Sequence, residues 1–167
     1  MDKATKKAAL KKLKLSNPWH FLALGFGTGL APFMPGTFGT LAAIPLVFLL
    51  PLMPLFGQLC LVLVLTLIGI RICDIASRDM GVHDHSAIVW DEVVGMLITM
   101  LAVPLTAINL LVGFVIFRLF DIIKPWPIRY CDKHVHGGFG IMLDDVLAGM
   151  FSLASMQLLL HFQLLNF

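Results

Sequence analysis

The sequence predicts an all-α protein, a multi-pass membrane helical bundle, and three observations support this fold class. Hydrophobic residues occupy 59% of the 167 positions and charged residues only 13%, which is far from the composition of a soluble domain. Mean hydropathy is correspondingly high, at +0.92. The charges are also confined to three blocks, and the uncharged runs between them are long enough for membrane helices. These runs cover 15–70, 93–117 and 146–167.

The charge distribution divides the chain into a basic juxtamembrane tail, 1–15, and a single helical membrane domain, 16–167. The tail holds six lysines and one acid, Asp2. Such a segment suits attraction to anionic lipid on the cytoplasmic face, although a solvated tail without a specific role is an equal alternative. The three cysteines lack CxxC spacing, so neither a disulfide framework nor a thiolate metal site is indicated.

The first uncharged run predicts a short helix, a loop and a helical hairpin. The triplet Ser-Asn-Pro at 16–18 has the order of a capped helix start. The segment 29–37 is crowded with Gly and Pro and predicts a loop, with a new helix beginning near Phe38. Apolar helices at 41–55 and 59–72 then carry the chain out and back across the membrane.

A polar loop at 74–86 is expected next, on the same side of the membrane as the lysine tail. Arg71 and Arg78 then lie on that side, as the positive-inside rule favours. The loop also contains two histidines around an aspartate. His83 and His85 could bind a transition metal, but their spacing is not specific, and a solvated loop is the favoured interpretation.

The second uncharged run, 93–117, predicts a short hairpin. A helix rises only ~1.5 Å per residue, so two full crossings of a ~30 Å core do not fit into this length. A single crossing would separate Asp91 from Asp121, whereas a hairpin turning at 104–106 keeps both on one side. It also keeps Arg118 with the other basic residues, so we expect a short or re-entrant hairpin.

The last uncharged run predicts a final span at 146–162. A glycine-rich turn at 137–140 precedes this span and is expected to be flexible. The fold class is thus a helical bundle in which the charged segments on the cytoplasmic side form the active site.

Two acidic pairs, Asp91-Glu92 and Asp144-Asp145, each stand where an uncharged run begins. Burying acids at the end of a membrane helix is costly unless a cation or a partner offsets their charge. In each pair, one acid has a glycine four residues later on the same helix face, where a neighbouring backbone can approach. These are Asp91 with Gly95 and Asp145 with Gly149. We interpret the two pairs as facing halves of one divalent-cation site.

A third acid, Asp121, lies three residues from Arg118 on one side and from Lys124 on the other. The three share one broad helix face, so an ion-pair network at the membrane edge is one interpretation. The other adds Asp121 to the cation site and assigns Arg118 and Lys124 to phosphate oxygens. Oxygen-only ligands suit Mg²⁺, and such a cation could activate a water for in-line attack. Metal-assisted phosphoryl hydrolysis is then the expected chemistry.

The glycine- and threonine-rich segment at 35–40 is a further candidate for phosphate binding. Gly36 and Thr37 could present backbone N–H groups and a hydroxyl at a helix N-terminus. A turn and cap without any ligand is, however, the more common role of such a segment.

Signatures of other phosphatase chemistries are absent from the sequence. The chain lacks C-x5-R, DxDx[TV] and PSGH motifs and a Walker loop, so ATP is not the expected substrate. The alternative function is a divalent-cation carrier that uses the same acids. The acids flank the spans, whereas transport sites are expected near the midpoint of the membrane. A scaffold with structural ion pairs is disfavoured because the acids lack an equal number of nearby bases.

Five segments carry long and specific sequence patterns. They are SNPWH at 16–20, PGTFGT at 35–40, DMGVHDHSAIVWDEVVGM at 79–96, FRLFDIIKPWPIR at 117–129 and HGGFGIMLDDVLAG at 136–149. In this order, these segments closely resemble the bacterial phosphatidylglycerophosphatase A family.

The resemblance implies a Mg²⁺-dependent lipid phosphatase of the bacterial inner membrane, which converts phosphatidylglycerophosphate to phosphatidylglycerol. Its partners are then this lipid and the bilayer and not a nucleic acid, and the oligomeric state is left open. The site residues that match the family are Asp91, Glu92, Asp121, Asp144, Asp145, Arg118 and Lys124. We expect the acids to bind Mg²⁺, one of them also acting as a base, and the two cations to bind phosphate. His83 and His85 are weaker candidates for protonating the leaving alkoxide.

Overall fold

The computed structural model describes residues 8–82 and 85–165, and the regular elements within them are all helical. The helices that position the site are α1 (Pro18–Ala23), α2 (Pro35–Ala42), α3 (Ile44–Val47), α4 (Leu55–Met80), α5 (Trp90–Thr99), α6 (Ala107–Ile123), α7 (Ile128–His134) and α8 (Gly137–His161). Short 3₁₀ helices lie at Thr28–Leu30 and Leu50–Leu52. The predicted all-α class is therefore confirmed.

Helices α5 and α8 form the centre of the bundle. Every residue of α5 except Glu92 is buried, and α8 packs against α4, α5, α6 and α7. Val93, Val94 and Leu97 of α5 are completely inaccessible to solvent. A short helix that is apolar on all sides needs other helices around it, which explains why α5 lies inside the bundle.

Three described segments are long and apolar enough to cross a membrane: Pro35–Leu52, Leu55–Met80 and Gly137–His161. On the second of them, large apolar side chains point away from the bundle, including Phe56 at 77% and Leu63 at 58% exposure. Exposed apolar surface of this extent is expected where a helix faces lipid. Helix α5 has 10 residues and covers only ~15 Å, about half of a bilayer core.

Helices α5 and α6 form the hairpin predicted for the second uncharged run. Residues 100–106 connect them, and the N–H of Ala102 donates to Oε1 of Gln58 at 3.1 Å. Gln157 of α8 reaches the same turn and donates to the carbonyl of Leu101 at 3.2 Å. These side-chain amides satisfy backbone groups that the turn leaves without helical partners. The hairpin returns the chain to the end of the bundle from which it started.

Helix α4 is longer than predicted, so the expected polar loop at 74–86 is wrong in its first part. The helix continues to Met80 and is capped by Gly81, which has a left-handed φ of 70°. Within this last part, Nη2 of Arg78 lies 3.1 Å from Oδ2 of Asp74, one turn earlier. The charges that suggested a loop therefore form an ion pair along a helix.

Helix α8 begins earlier than predicted, so residues 137–140 are helical and the expected flexible turn is wrong. A Cβ atom on Gly138 would lie 2.0 Å from the carbonyl oxygen of Ile70 in α4. Glycine is thus required there for close helix packing. Helix α2 also begins earlier, at Pro35 and not near Phe38, in agreement with the preference for proline in a first helical turn.

The start of α1 has the predicted capping. The side chain of Asn17 accepts a hydrogen bond from the N–H of Trp19 at 3.0 Å, and Pro18 lies in the first turn. The helix start predicted at 16–18 is therefore confirmed.

The described part of the basic tail lies against the C-terminal end of α4. Nζ of Lys12 donates to the carbonyl of Met80 at 3.0 Å, and Nε2 of His20 lies 2.8 Å from Oδ2 of Asp79. These contacts hold the start of the chain at the end of the bundle where α4 ends. Residues 1–7 of the predicted tail lie outside the described residues.

Candidate active site

Three carboxylates meet near the beginnings of α5 and α8. Asp91 and Glu92 lie in the first turn of α5, and Asp145 lies in the third turn of α8. One carboxylate oxygen from each residue lies within 4.8 Å of the others. Asp91 is 9% and Asp145 2% exposed, so these groups are largely withdrawn from water. The structure thus brings together acids from both of the predicted halves.

Two glycines set the distance between α5 and α8 beside these acids. A Cβ atom on Gly149 would lie 2.7 Å from the carbonyl oxygen of Gly95, and one on Gly95 would lie 3.0 Å from the carbonyl oxygen of Asp145. The missing side chains therefore allow the two backbones to cross closely. Because each glycine follows its acid by four residues, the crossing also brings Asp145 close to Asp91.

Arg118 of α6 is the cation nearest to this cluster. Its Nη1 atom pairs with Asp121 and lies 3.9 Å from Oε1 of Glu92. The same atom lies 3.5 Å from the hydroxyl of Thr40. Nε of Arg118 is buried and donates to no acceptor among the described residues. The guanidinium is therefore held at one wall of the site with part of its donor capacity unused, a geometry suited to phosphate oxygens.

Lys124, just after α6, is shared between two acids. Its Nζ donates to Oδ1 of Asp132 at 2.6 Å and also to Oδ2 of Asp144. Burial alone lowers the pKa of Lys124, but the nearby carboxylates of Asp144 and Asp132 outweigh burial and bring the pKa above its ordinary value. Lys124 therefore stays positively charged across the physiological pH range.

The acids and cations line one cleft of about 390 Å³. Residues from α2, α5, α6 and α8 form its walls. The predicted site residues that line it are Gly36, Asp91, Glu92, Arg118, Asp121, Lys124, Asp144 and Asp145. The five acids and two cations selected from the sequence thus lie on one continuous surface.

The segment at 35–40 contributes the wall formed by α2. A Cβ atom on Gly36 would lie 2.3 Å from Oε1 of Glu92 and 3.1 Å from Nη1 of Arg118, so a larger residue there would displace the carboxylate and the guanidinium of the site. Thr37 lies outside the lining of the cleft, and its N–H donates to the carbonyl of Met34 at 2.9 Å. Phosphate binding by Gly36 and Thr37 stays a prediction.

The weaker candidates come from the loop before α5. His83 lies outside the described residues, and His85 is not among the residues that line the cleft. His85 is buried, and its Nδ1 accepts a hydrogen bond from the N–H of Ala87 at 3.1 Å, so it orders the loop. Arg71 and Arg78, which were expected nearby, also lie outside the lining of the cleft.

Sequence reasoning missed two polar residues of the site, besides apolar residues of the lining. Asp132 of α7 holds Lys124, and Ser86 lines the cleft. Neither follows the pattern of an acid at the start of an uncharged run. The density of basic and acidic residues after α6 was the only signal that could have indicated Asp132.

The carboxylate cluster has the donor set of a hard divalent cation. Carboxylate oxygens suit Mg²⁺ better than a soft metal. Oε2 of Glu92 is buried and accepts no hydrogen bond from the described residues, whereas buried polar atoms are normally paired. Burial, with a further contribution from the charge of Asp145, raises the pKa of Glu92 to about 8. A bound cation would offset both costs, so these residues fit Mg²⁺.

The chain is similar to known proteins over most of its length. The family model described as phosphatidylglycerophosphatase A matches residues 21–160. Phosphatidylglycerophosphatase A of Escherichia coli (strain K12) is 49% identical over 157 residues, which cover 93% of this chain and 91% of the relative. The Haemophilus influenzae protein of the same name is 47% identical over 150 residues, 89% of this chain and 92% of the relative.

A third relative carries a different name. A Bacteroides thetaiotaomicron protein, provisionally named a phosphatidylinositol-3-phosphatase, is 41% identical over 139 residues. The alignment covers 78% of this chain and 86% of that relative. No solved structure matches the chain.

Proposed function

Because the chain belongs to the phosphatidylglycerophosphatase A family, we propose that it hydrolyses the terminal phosphomonoester of phosphatidylglycerophosphate to give phosphatidylglycerol and inorganic phosphate. The observation that carries this proposal is the single cleft in which three clustered carboxylates stand beside Arg118 and Lys124. A phosphomonoester needs cations around its oxygens, and its hydrolysis needs a group that takes a proton from water. The cleft offers both.

Arg118 and Lys124 bind the phosphate oxygens from two parts of the cleft. Each is already paired with acids, Arg118 with Asp121 and Lys124 with Asp132 and Asp144. Less conformational freedom is therefore lost when phosphate binds. The phosphorus atom then faces the carboxylate cluster.

A water between the cluster and the phosphorus atom is the nucleophile. A carboxylate accepts a proton from this water as the new P–O bond forms. The bond from phosphorus to the glycerol oxygen breaks in line, and the leaving oxygen takes up a proton from solvent water to give the alcohol of phosphatidylglycerol. The protonated carboxyl group then returns its proton to solvent. The products are thus phosphatidylglycerol, which keeps its anionic phosphodiester, and inorganic phosphate.

The acids of the cleft are the proposed ligands of Mg²⁺. Asp91, Glu92 and Asp145 form the core of this set, and Asp121 and Asp144 link it to the two phosphate-binding cations. When bound, Mg²⁺ supplies positive charge next to the phosphate oxygens and lowers the pKa of a coordinated water.

The proposed location is the bacterial inner membrane, with the cleft open to the cytoplasm. Basic residues are enriched on the cytoplasmic side of membrane proteins, and Lys12, Arg118 and Lys124 all lie at the cleft end of the bundle. The α5–α6 hairpin then enters from this side and returns to it. It is a re-entrant hairpin, since α5 is too short for a full crossing.

Two other functions make distinct predictions. The relative named after phosphatidylinositol 3-phosphate suggests another lipid phosphomonoester, for which the same acids and cations would serve. A divalent-cation carrier using the same acids would instead move cations into liposomes and release no phosphate. Acids at the helix ends, away from the middle of the spans, favour the phosphatase over the carrier.

Phosphate release by the purified protein tests the proposed function. Release from phosphatidylglycerophosphate should require Mg²⁺ and should be faster than from phosphatidylinositol 3-phosphate. Asp91→Asn and Asp145→Asn should each lower turnover by about 100-fold or more, because even outer-shell partners of a metal commonly contribute roughly 10–100-fold.

Asp74→Asn is the matched control, since Asp74 lies at the same end of the bundle but pairs with Arg78 outside the cleft. This variant should keep its activity. Normal turnover in both cleft variants would defeat the site assignment. Cation flux without phosphate release would favour the carrier.

A further inference from the structure

An apolar groove lies next to the cleft, between α2, α3, α5 and α6. We propose that this groove holds an acyl chain of the lipid substrate while its phosphate lies in the cleft. The groove has a volume of about 260 Å³. Leu41, Ile44, Met96, Leu110, Leu111 and Phe114 line it, and we call it the acyl groove. The inference rests on the proposed function, because it assigns the part of the same substrate that lies beyond the phosphate.

The helix α6 connects the acyl groove to the cleft. Arg118 lines the cleft, and Phe114 and Leu111 line the groove. These residues are four and seven positions apart, so they lie on one face of the helix. A lipid whose phosphate contacts Arg118 can therefore continue along α6 toward Leu111.

The other two walls have the same arrangement. On α5, Glu92 lines the cleft and Met96, one turn later, lines the groove. On the α2–α3 side, Gly36 lines the cleft and Ile44 lines the groove, with Thr40 halfway between them. Ala43 between α2 and α3 keeps a helical conformation, so this spacing of four residues also follows one face. Three walls thus change from polar to apolar in the same direction.

Thr40 marks the boundary between the polar and apolar parts. Its hydroxyl donates to the carbonyl of Gly36 at 2.9 Å and lies 3.5 Å from Nη1 of Arg118. Its side chain is completely buried. Beyond this point the groove lining is entirely apolar. An amphipathic ligand with an anionic head and a hydrocarbon chain matches this change in chemistry.

A second apolar groove shows why continuity with the cleft matters. It has a volume of about 410 Å³ and lies on another face of α6, where Leu119 and Phe120 line it. This face does not carry Arg118, and no residue lines both the second groove and the cleft, so a chain in the second groove would not lie along the face of α6 that leads to Arg118. The second groove therefore provides a matched control.

Substrate chain length tests the acyl groove. The variants are Leu111→Trp and Leu41→Trp, on opposite walls of the groove, and both positions are exposed enough to accept a larger side chain. Leu119→Trp in the second groove is the control. For each purified full-length variant, kcat/KM is measured on phosphatidylglycerophosphate with long acyl chains and on its dihexanoyl analogue, both in the presence of Mg²⁺.

Filling the groove should weaken only the interaction with a long chain. Both groove variants should lose about tenfold in kcat/KM on the long-chain lipid, a loss typical of changed contacts in an apolar pocket. They should keep their activity on the dihexanoyl analogue, and Leu119→Trp should keep its activity on both. Agreement between two variants on opposite walls shows that the loss does not come from one misfolded protein.

Two results would overturn the inference. One is an equal loss on both lipids, or no loss on either, in the groove variants. The other is a loss selective for long chains in Leu119→Trp as well, which would indicate a general effect of the lipid environment. A wild-type protein that releases phosphate from neither lipid would overturn the proposed function itself.

Discussion

The cations of the cleft are held by acids before a substrate arrives. Arg118 pairs with Asp121, and Lys124 is shared by Asp132 and Asp144. Partly buried charges are screened less by salt than exposed ones, and charges fixed in this way lose less freedom on binding phosphate. If Lys124 binds phosphate as proposed, Asp132 is a positioning residue that acts through Lys124.

Replacing Asp132 by Asn should weaken substrate binding without abolishing activity. We expect KM to rise by about threefold to tenfold with a smaller change in kcat, whereas Lys124→Gln should lose roughly 10–100-fold in kcat/KM, as for a lost charge-assisted hydrogen bond. In the Lys124→Gln background, Asp132→Asn should add nothing, because the two residues act together. Steady-state kinetics of this double-mutant cycle provides the measurement, and additive losses would show that Asp132 acts independently.

Four of the acids that line the cleft could be predicted because acidic pairs at the start of uncharged runs are unusual. Asp132 could not, because it lies in a separate short helix and meets Lys124 only through the turn between α6 and α7. Phosphate binding by Thr37 stays a prediction. Its N–H donates to the carbonyl of Met34, because α2 begins earlier than the sequence predicted.

The crossing of α5 and α8 is the feature that assembles the site at the level of helices. Gly95 and Gly149 allow the backbones to approach, and Asp91 and Asp145 lie one turn before them. Small residues at a helix crossing are typical of membrane proteins, where packing and not the hydrophobic effect holds helices together. Separating these two helices would therefore also separate the acids.

Gly149→Ala should impair both stability and activity. The new Cβ atom would lie 2.7 Å from the carbonyl oxygen of Gly95, so α5 and α8 must move apart, at a cost of about 1–3 kcal/mol for overpacking. The control is Gly57→Ala in the first turn of α4, where the nearest atom is a side-chain carbon of Met53 at 3.2 Å. Melting temperature in detergent and Mg²⁺-dependent turnover report the result.

Alanine at either position improves helix propensity, so the two variants differ only in the space available. Gly149→Ala should melt at a lower temperature than the parent and lose most of its turnover, whereas Gly57→Ala should resemble the parent. If Gly149→Ala also resembles the parent, the close crossing does not set the position of the acids.

The helix boundaries show where sequence reasoning failed at this scale. Gly138 and its neighbours suggested a flexible turn, because glycine favours turns locally, but contact with Ile70 of α4 requires a glycine in a helix. The end of α4 was missed because the charges of Asp74 and Arg78 suggested a loop, although they pair along one helix face. In both cases tertiary contacts outweighed the local signal.

For the whole molecule, the decisive feature is that the charged helix ends lie together. α5 and α8 begin near the cleft and α6 ends there, so acids distant in the sequence share one surface. The segments at the other end of the bundle, 48–58, 100–110 and 157–165, contain no Asp, Glu, Lys or Arg, and Leu52 there is 78% exposed. Hydropathy and charge blocks could predict this polarity, since they depend on composition. The packing order of the helices could not be predicted, since it depends on long-range contacts.

Labelling of single cysteines tests which side of the membrane carries the cleft. The parent is a variant in which all three native cysteines are replaced by serine, and its turnover is measured first against that of the unmodified protein. Lys11→Cys, on the exposed basic segment, should react with a membrane-impermeant thiol reagent only in inside-out vesicles. Leu52→Cys, at the opposite end, should react only from the outside. The reverse pattern would contradict a cytoplasmic cleft.

The position of a bound cation tests the central claim most directly. Mn²⁺ substitutes for Mg²⁺ at sites made of oxygen ligands, and its anomalous scattering locates it in a crystal of the full-length protein. We expect a peak bonded to carboxylate oxygens of Asp91, Glu92 and Asp145, and its loss in crystals of Asp145→Asn. A peak that contacts acids of only one helix, or one that persists in Asp145→Asn, would contradict a shared site.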